Sequence, residues 1–189
     1  MRAAGFVLVG GRSSRMGQDK ALLPWRDSTL VQGIAAKVLA VAGNVALVGR
    51  PHFPDAPMLD CVPDLRPGFG PLSGLEAALA SGRGDINLIV SCDLPLLDTE
   101  WLRHLLNEAS SLEKKCLISE DSEGRYHPLC AVYRSDCLSV ITQALDSGCL
   151  RLMDVVEQFG GARLKMSWPL WNVNTPEDWE QCREAANAR

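Results

Sequence analysis

The chain has 189 residues, 47% of them hydrophobic, with a formal net charge of −4 and an isoelectric point near 5.4. That length supports one substantial core and is short for two, so a single domain spanning residues 1–189 is expected. The acidic balance gives no general attraction to nucleic acid or to an anionic membrane, so neither is expected as a partner and the cations near the start must act locally. Seven cysteines, an odd number without a Cys-x-x-Cys pair, argue against a structural zinc site or a disulfide framework. They suit buried thiols in a reducing compartment, and a cytoplasmic location is expected. The apolar run at residues 5–9 is too short for a signal-peptide core, and the longer one from Val38 to Val48 is broken by Gly43 and Asn44.

Gly5 to Val9 is continuously apolar, as in a strand buried on both faces, and the run stops at Gly10-Gly11. The loop that follows holds Gly10, Gly11 and Gly17 with Arg12, Arg15 and Lys20, which brings bare amides and three positive charges together as a cradle for a polyphosphate. It is not a Walker A loop, because Lys20 follows Asp19 and precedes Ala21. A dinucleotide fingerprint also fails, since the glycines are adjacent and Pro24-Trp25 delays the helix.

Thr29 and Gln32 have capping-box spacing, and Leu30, Val31, Ile34, Ala35, Val38 and Leu39 recur with a helical period until Gly43. Val45 to Val48 reads as a second buried strand, so strand, helix and strand form a right-handed parallel crossover. Pro51, Pro54 and Pro57 hold a loop before a short strand from Met58 to Val62. Asp64 then leads into the glycine- and proline-rich stretch Pro67 to Gly74, with a helix over Leu75 to Ala80 opened by Ser73 or Gly74. Ile86 to Val90 belongs in the middle of the sheet and emerges at Ser91-Cys92-Asp93, which puts an acid at the carboxyl end of a parallel strand, where open α/β sheets bind ligands. Asp98 and Thr99 cap the next helix, which carries Trp101, Leu102, Leu105 and Leu106.

The second half changes texture. Leu117-Ile118, a turn at Ser122-Glu123-Gly124, and Pro128 to Tyr133 predict two antiparallel strands forming a small substrate-facing subsheet, with His127-Pro128 entering the second. Helices follow from Ser135 to Asp146 and from Arg151 to Phe159, ended by Gly148 and by Gly160-Gly161. Leu170 to Val173 is expected as a final strand, and Thr175-Pro176-Glu177-Asp178 is a helix start with a cap, a proline at the first position and acids in the first turn.

The run Leu8-Val9-Gly10-Gly11-x-Ser13-x-Arg15-Met16-Gly17-x-Asp19-Lys20 resembles the signature loop of the nucleoside-triphosphate transferases, most closely the molybdenum cofactor guanylyltransferases. Cys92-Asp93-Leu94-Pro95 and Asn172-Val173-Asn174-Thr175-Pro176 sit where that family keeps two further signatures. Val9 departs from the alanine usual there, and its bulk is expected to tighten the space near the base.

The resemblance implies a three-layer, Rossmann-like α/β nucleotidyltransferase fold, with a mostly parallel central sheet and a small antiparallel extension. It further implies transfer of GMP from GTP to the terminal phosphate of the molybdenum-pterin cofactor, and a molybdoenzyme or its chaperone as the receiver of the product. In that chemistry Lys20, Arg15 and Asp93 serve catalysis. Leu8, Val9, Gly10, Gly11, Lys20, Asp64 and Asp93 bind the nucleotide. Asp93 and Asn174 hold Mg²⁺, which needs few carboxylates beside phosphate oxygens and water. Arg125, His127 and Asn172 are candidate pterin contacts, although a lone histidine before proline is more often a structural hydrogen-bonder. Trp25, Trp168 and Trp171 offer flat rings to a pterin but equally suit a core or its rim. The rival readings are transfer from CTP, a sugar or polyol phosphate as acceptor, and a cofactor-delivery protein without catalysis; the joint presence of Lys20 and Asp93 argues against the last.

Overall fold

The structure is a computed structural model that describes residues 1–10, 19–50, 53, 56 and 58–187. Its strands and helices run, in chain order, β1 (Ala3–Leu8), β2 (Pro24–Trp25), β3 (Ser28–Thr29), α1 (Leu30–Ala42), β4 (Ala46–Val48), β5 (Asp60–Val62), α2 (Pro71–Ala80) and β6 (Ile86–Ser91). There follow α3 (Thr99–Ser111), β7 (Cys116–Glu120), β8 (Tyr126–Arg134), α4 (Leu138–Asp146), α5 (Leu152–Gln158), β9 (Ala162–Lys165) and α6 (Pro176–Asn187). Seven strands form one sheet in the order β5-β4-β1-β6-β8-β7-β9. β8 alone runs against its neighbours; the other pairings are parallel. The antiparallel pair expected as a small subsheet extends the main sheet, because β8 docks on β6 with Leu88 opposite Val132.

Side-chain alternation along β1 builds the three layers. Ala4, Phe6 and Leu8 enter a core shared with residues of α2, α4 and α5, while Val7 and Val9 enter the opposite core with residues of α1, α3 and α6. Gly5 permits the close approach of α1, since a methyl there would lie 2.4 Å from Val38 Cγ1 and 2.7 Å from the Asn44 carbonyl. The expected capping box opens α1, with Thr29 Oγ1 accepting from the Gln32 amide and the Gln32 side chain accepting from the Thr29 amide. Gly43, at φ +74°, closes it.

Four expectations change. α2 starts at Pro71, ahead of Ser73, because proline at the first helical position is already set at a helical φ and lacks only an N–H that would have had no partner. Ser135–Cys137 forms a 3₁₀ turn before α4. The strand after the proline loop is confined to Asp60–Val62. Leu170 to Val173 is not a strand; it is an irregular segment fastened by single bonds at the Leu170 and Val173 amides, while the strand of this region is the earlier β9, which pairs with β7.

Candidate functional site

The chain runs β1, β4 and β5 to one side of the sheet and then returns to β6 on the other side of β1, so the sheet order reverses between β1 and β6. Their carboxyl ends are held together by a 3.1 Å bond from the Cys92 amide to the Leu8 carbonyl. A ligand crevice is expected at such a reversal.

Lys20, Asp93 and Asn174, 154 residues apart at the extremes, converge here. Lys20 Nζ lies 3.1 Å from Asp93 Oδ2 and 3.5 Å from both Asn174 Oδ1 and the Val173 carbonyl. Each partner is positioned locally. Lys20 opens a 3₁₀ turn whose cap is Asp19, accepting from the Ala21 amide, and the other Asp19 oxygen pairs with Arg50. Asp93 leaves β6 in a turn fastened by Lys37, whose ammonium donates to the carbonyls of Pro95 and Leu97. Asn174 is fixed by Asp178, whose carboxylate accepts from the amides of Asn174 and Thr175 as part of the α6 cap. The backbone of the two motifs is joined directly by Val173 N donating to Asp93 O at 2.9 Å.

Asp93 is not the cap of the following helix; Asp98 fills that place. Asp93 Oδ1 is buried and has no hydrogen-bond partner among the described residues, an expensive state for a carboxylate oxygen unless it serves a ligand. With Asn174 Oδ1 it offers two hard oxygens, the donor type Mg²⁺ takes. Among the described residues no three His, Cys, Asp or Glu side chains gather as a self-sufficient metal site, so a cation held here would need further ligands such as phosphate and water. The neighbouring Cys92 does not compete, since burial, reinforced by the Asp93 charge, pushes its thiol up to about 12.

Beside this cluster opens a cavity of about 830 Å³, lined by Leu8, Gly10, Gly49, Arg50, Asp64 and the loop into α2 among others. The size suits a nucleotide. Asp64 borders it with Oδ1 buried and unpaired among the described residues, and burial raises its pKa. Gly49 must be glycine: its φ is +119°, and a methyl there would lie 3.1 Å from the Gly10 amide nitrogen. Gly49 and Arg50 escaped the sequence reading, though their place just beyond β4 was a usable signal. Val9 departs from expectation, because its side chain packs in the core on the α1 side and its bulk is not among the described lining of the cavity. Gly11 and Arg15 lie outside the described residues.

The pterin candidates divide. Asn172 is exposed on the segment that carries Asn174. Arg125 and His127 gather on Asp121, a buried carboxylate that also accepts from the amides of Glu123, Arg125 and Leu170. Burial alone would raise the Asp121 pKa; the bonds from His127 and those amides outweigh it and hold the carboxyl well below the usual range. Trp25 packs on Trp179 and Trp168 edge-on against Trp101, so both rings serve the core and its rim. Asp121→Asn is expected to lower unfolding free energy by about 3 kcal/mol, since several buried donors lose a charged acceptor. Because the folded pKa is depressed, the stabilisation is complete above the unfolded carboxylate pKa, declines progressively as pH falls below it, and is gone once pH has fallen through the folded value. Urea titrations of both proteins at neutral pH and in strong acid check this: the gap should close only in strong acid, and equal stability at neutral pH would rule the prediction out.

Residues 5–162 match the profile of a family described as MobA-like NTP transferase domain. A molybdenum cofactor guanylyltransferase from Xanthomonas euvesicatoria pv. vesicatoria is 34% identical over 186 residues, covering 94% of this chain and 92% of the relative. A protein named probable molybdenum cofactor guanylyltransferase, from Flavobacterium johnsoniae, is 29% identical over 177 residues, 92% of each chain. Molybdopterin-guanine dinucleotide biosynthesis protein A from Archaeoglobus fulgidus superposes with a TM-score of 0.80 at 21% identity, over 98% of this chain and 100% of that one, and so shares the fold.

Proposed function

The chain belongs to the MobA-like NTP transferase domain family, and from that premise we propose that it transfers GMP from GTP to the terminal phosphate of the molybdenum-pterin cofactor. An acceptor phosphate oxygen forms a bond to the α-phosphorus of GTP while the bond from that phosphorus to the bridging oxygen of the β-phosphate breaks, so pyrophosphate departs and the guanine dinucleotide form remains. The carrying observation is the convergence of Lys20, Asp93 and Asn174 beside a nucleotide-sized cavity at the point where the sheet order reverses.

The protein's part is placement and charge. Lys20 faces the charge that grows on the α-phosphate; the loop amides with Arg15 are assigned the β- and γ-phosphates, Gly10 the approach of the base, and Asp64 and Arg50 the wall of the nucleotide cavity. Mg²⁺ at Asp93 and Asn174 supplies charge neutralisation along the triphosphate when bound. The raised pKa of Asp64 has a counterpart in function: a carboxylate that burial disfavours gains most from a ligand that hydrogen-bonds it. Among the described residues no helix is long and apolar enough to cross a membrane, and the site of action we assign is the cytoplasm, where buried thiols stay reduced.

The test is to incubate the protein with Mg²⁺, the pterin cofactor and each NTP in turn and to measure pyrophosphate release. GTP should be used best; release with CTP but not with GTP, or no release with any of the NTPs, overturns the assignment. Base choice has a finer probe in Gly10. A methyl at Gly10 meets no described protein atom closer than Asp64 Oδ2 at 4.0 Å, and Gly10 and Asp64 both line the cavity. Because a pocket clash with a base is worth about 1 to 3 kcal/mol, Gly10→Ala is expected to lower kcat/KM for GTP by roughly ten- to a hundredfold and to leave CTP unchanged. Equal loss for both nucleotides would mean damage to the phosphate loop instead.

A further inference from the structure

The loop from Asp64 to Gly70 forms one wall of the cavity, and its own bonding is sparse. Gly68 and Gly70 take positive φ, at +93° and +73°. The loop's larger apolar side chains, Leu65 and Phe69, point to solvent at 59% and 40% exposure, so no apolar anchor sinks into the core from them. What fastens the loop is Arg66. Its amide donates to the fully buried Ser73 Oγ at 3.3 Å. Its Nε lies 3.1 Å from Oε2 of Glu76, an ion pair whose N–H is not aimed as a hydrogen bond, and its Nη1 donates to Asp146 at 2.6 Å. Glu76 is 3% exposed on the inner face of α2, and its other oxygen accepts from Thr142 of α4 at 3.0 Å.

We propose that Glu76 is a positioning residue for the nucleotide: through Arg66 it clamps the Asp64–Gly70 wall onto α2 and α4 and so presents Asp64 to the bound base and ribose. A buried acid is costly in a helix face that could be apolar, and here its charge is matched by a cation that arrives from a loop with little else to hold it. Preorganisation of a binding wall shows in substrate binding more than in the chemical step, because the ordering cost otherwise falls on the ligand. The inference rests on the nucleotidyl-transfer reading for its kinetic arm only; the clamp itself is a property of the free protein.

Two measurements test it. Glu76→Ala should raise KM for GTP about tenfold with kcat and the acceptor KM within about twofold. In the same variant, without ligand, amide hydrogen exchange across residues 64–70 should accelerate about tenfold, while α1 and β1 keep wild-type protection. Thr142→Val removes the second partner of the acid and should leave loop exchange and KM near wild type. If Glu76→Ala folds poorly, the double variant Arg66→Met with Glu76→Leu replaces the pair by apolar side chains that pack without charge, and it should show the same KM rise and the same loop exchange. Unaltered loop exchange, or equal losses in kcat and kcat/KM with faster exchange throughout the sheet, overturns the clamp. A wild-type protein that makes no product from GTP overturns the transfer reading instead, and the exchange comparison still decides the clamp.

Discussion

Lys20→Ala is expected to lower kcat for GMP transfer by about a hundred- to a thousandfold, roughly 3 to 4 kcal/mol, with the fold intact. The ammonium sits among Asp93, Asn174 and the Val173 carbonyl, held there by a short turn whose packing comes from the buried Ala21 and not from Lys20 itself. Charge on the α-phosphate grows during transfer, so a cation aimed at that group stabilises the transition state more than the bound substrate, and KM for GTP should move little. The loss could also come from a disturbed metal site, and direct Mn²⁺ titration of the nucleotide-free protein separates the two. Removing the ammonium takes a competing cation from the Asp93 and Asn174 oxygens, so Mn²⁺ should bind the variant at least as well as the wild type. Near-normal kcat would remove Lys20 from the mechanism, and lost Mn²⁺ binding would reassign it to shaping the metal site.

The parts of this fold that were legible in the sequence are those whose signals are local. α1 announced itself by a capping box and a closing glycine, α6 by Thr175-Pro176, β1 by an unbroken apolar run and β6 by an apolar run interrupted only at Asn87. β9 was missed although Ala162-Arg163-Leu164-Lys165 alternates strictly, because the pattern lasts only four residues and none of them is fully buried. The segment Leu170 to Val173 misled because three of its four residues are apolar, yet the Leu170 amide donates to the Asp121 side chain and the Val173 amide to the Asp93 carbonyl instead of to a strand ladder. Lys20, Asp93 and Asn174, which the fold brings together, were each singled out by the resemblance of their motifs, and Asp93 by the strand-end rule as well. Arg50 with Asp19, and Arg66 with Glu76 and Asp146, could not, since each pair joins distant segments through side chains that look like ordinary surface charges in the sequence.

Asp93→Asn should all but abolish transfer, by about a thousandfold or more, and weaken the dependence on Mg²⁺. The substitution is close to isosteric and asks little of the fold. The helix cap that Asp93 might have supplied belongs to Asp98, and an asparagine oxygen still accepts from Lys20. What disappears is the negative charge at an oxygen that is buried, has no described partner, and stands beside Asn174 on an adjoining segment. If that oxygen is where the ion is held against the triphosphate, Mn²⁺ affinity of the nucleotide-free protein must fall together with activity, and raising Mg²⁺ should restore only part of the rate. A carboxylate that merely balances Lys20 predicts something else: losing it would leave metal titration unchanged and shift only the thermal midpoint. Wild-type activity and an unaltered Mn²⁺ titration in Asp93→Asn would leave Asp93 a structural partner of Lys20 and move the metal site elsewhere.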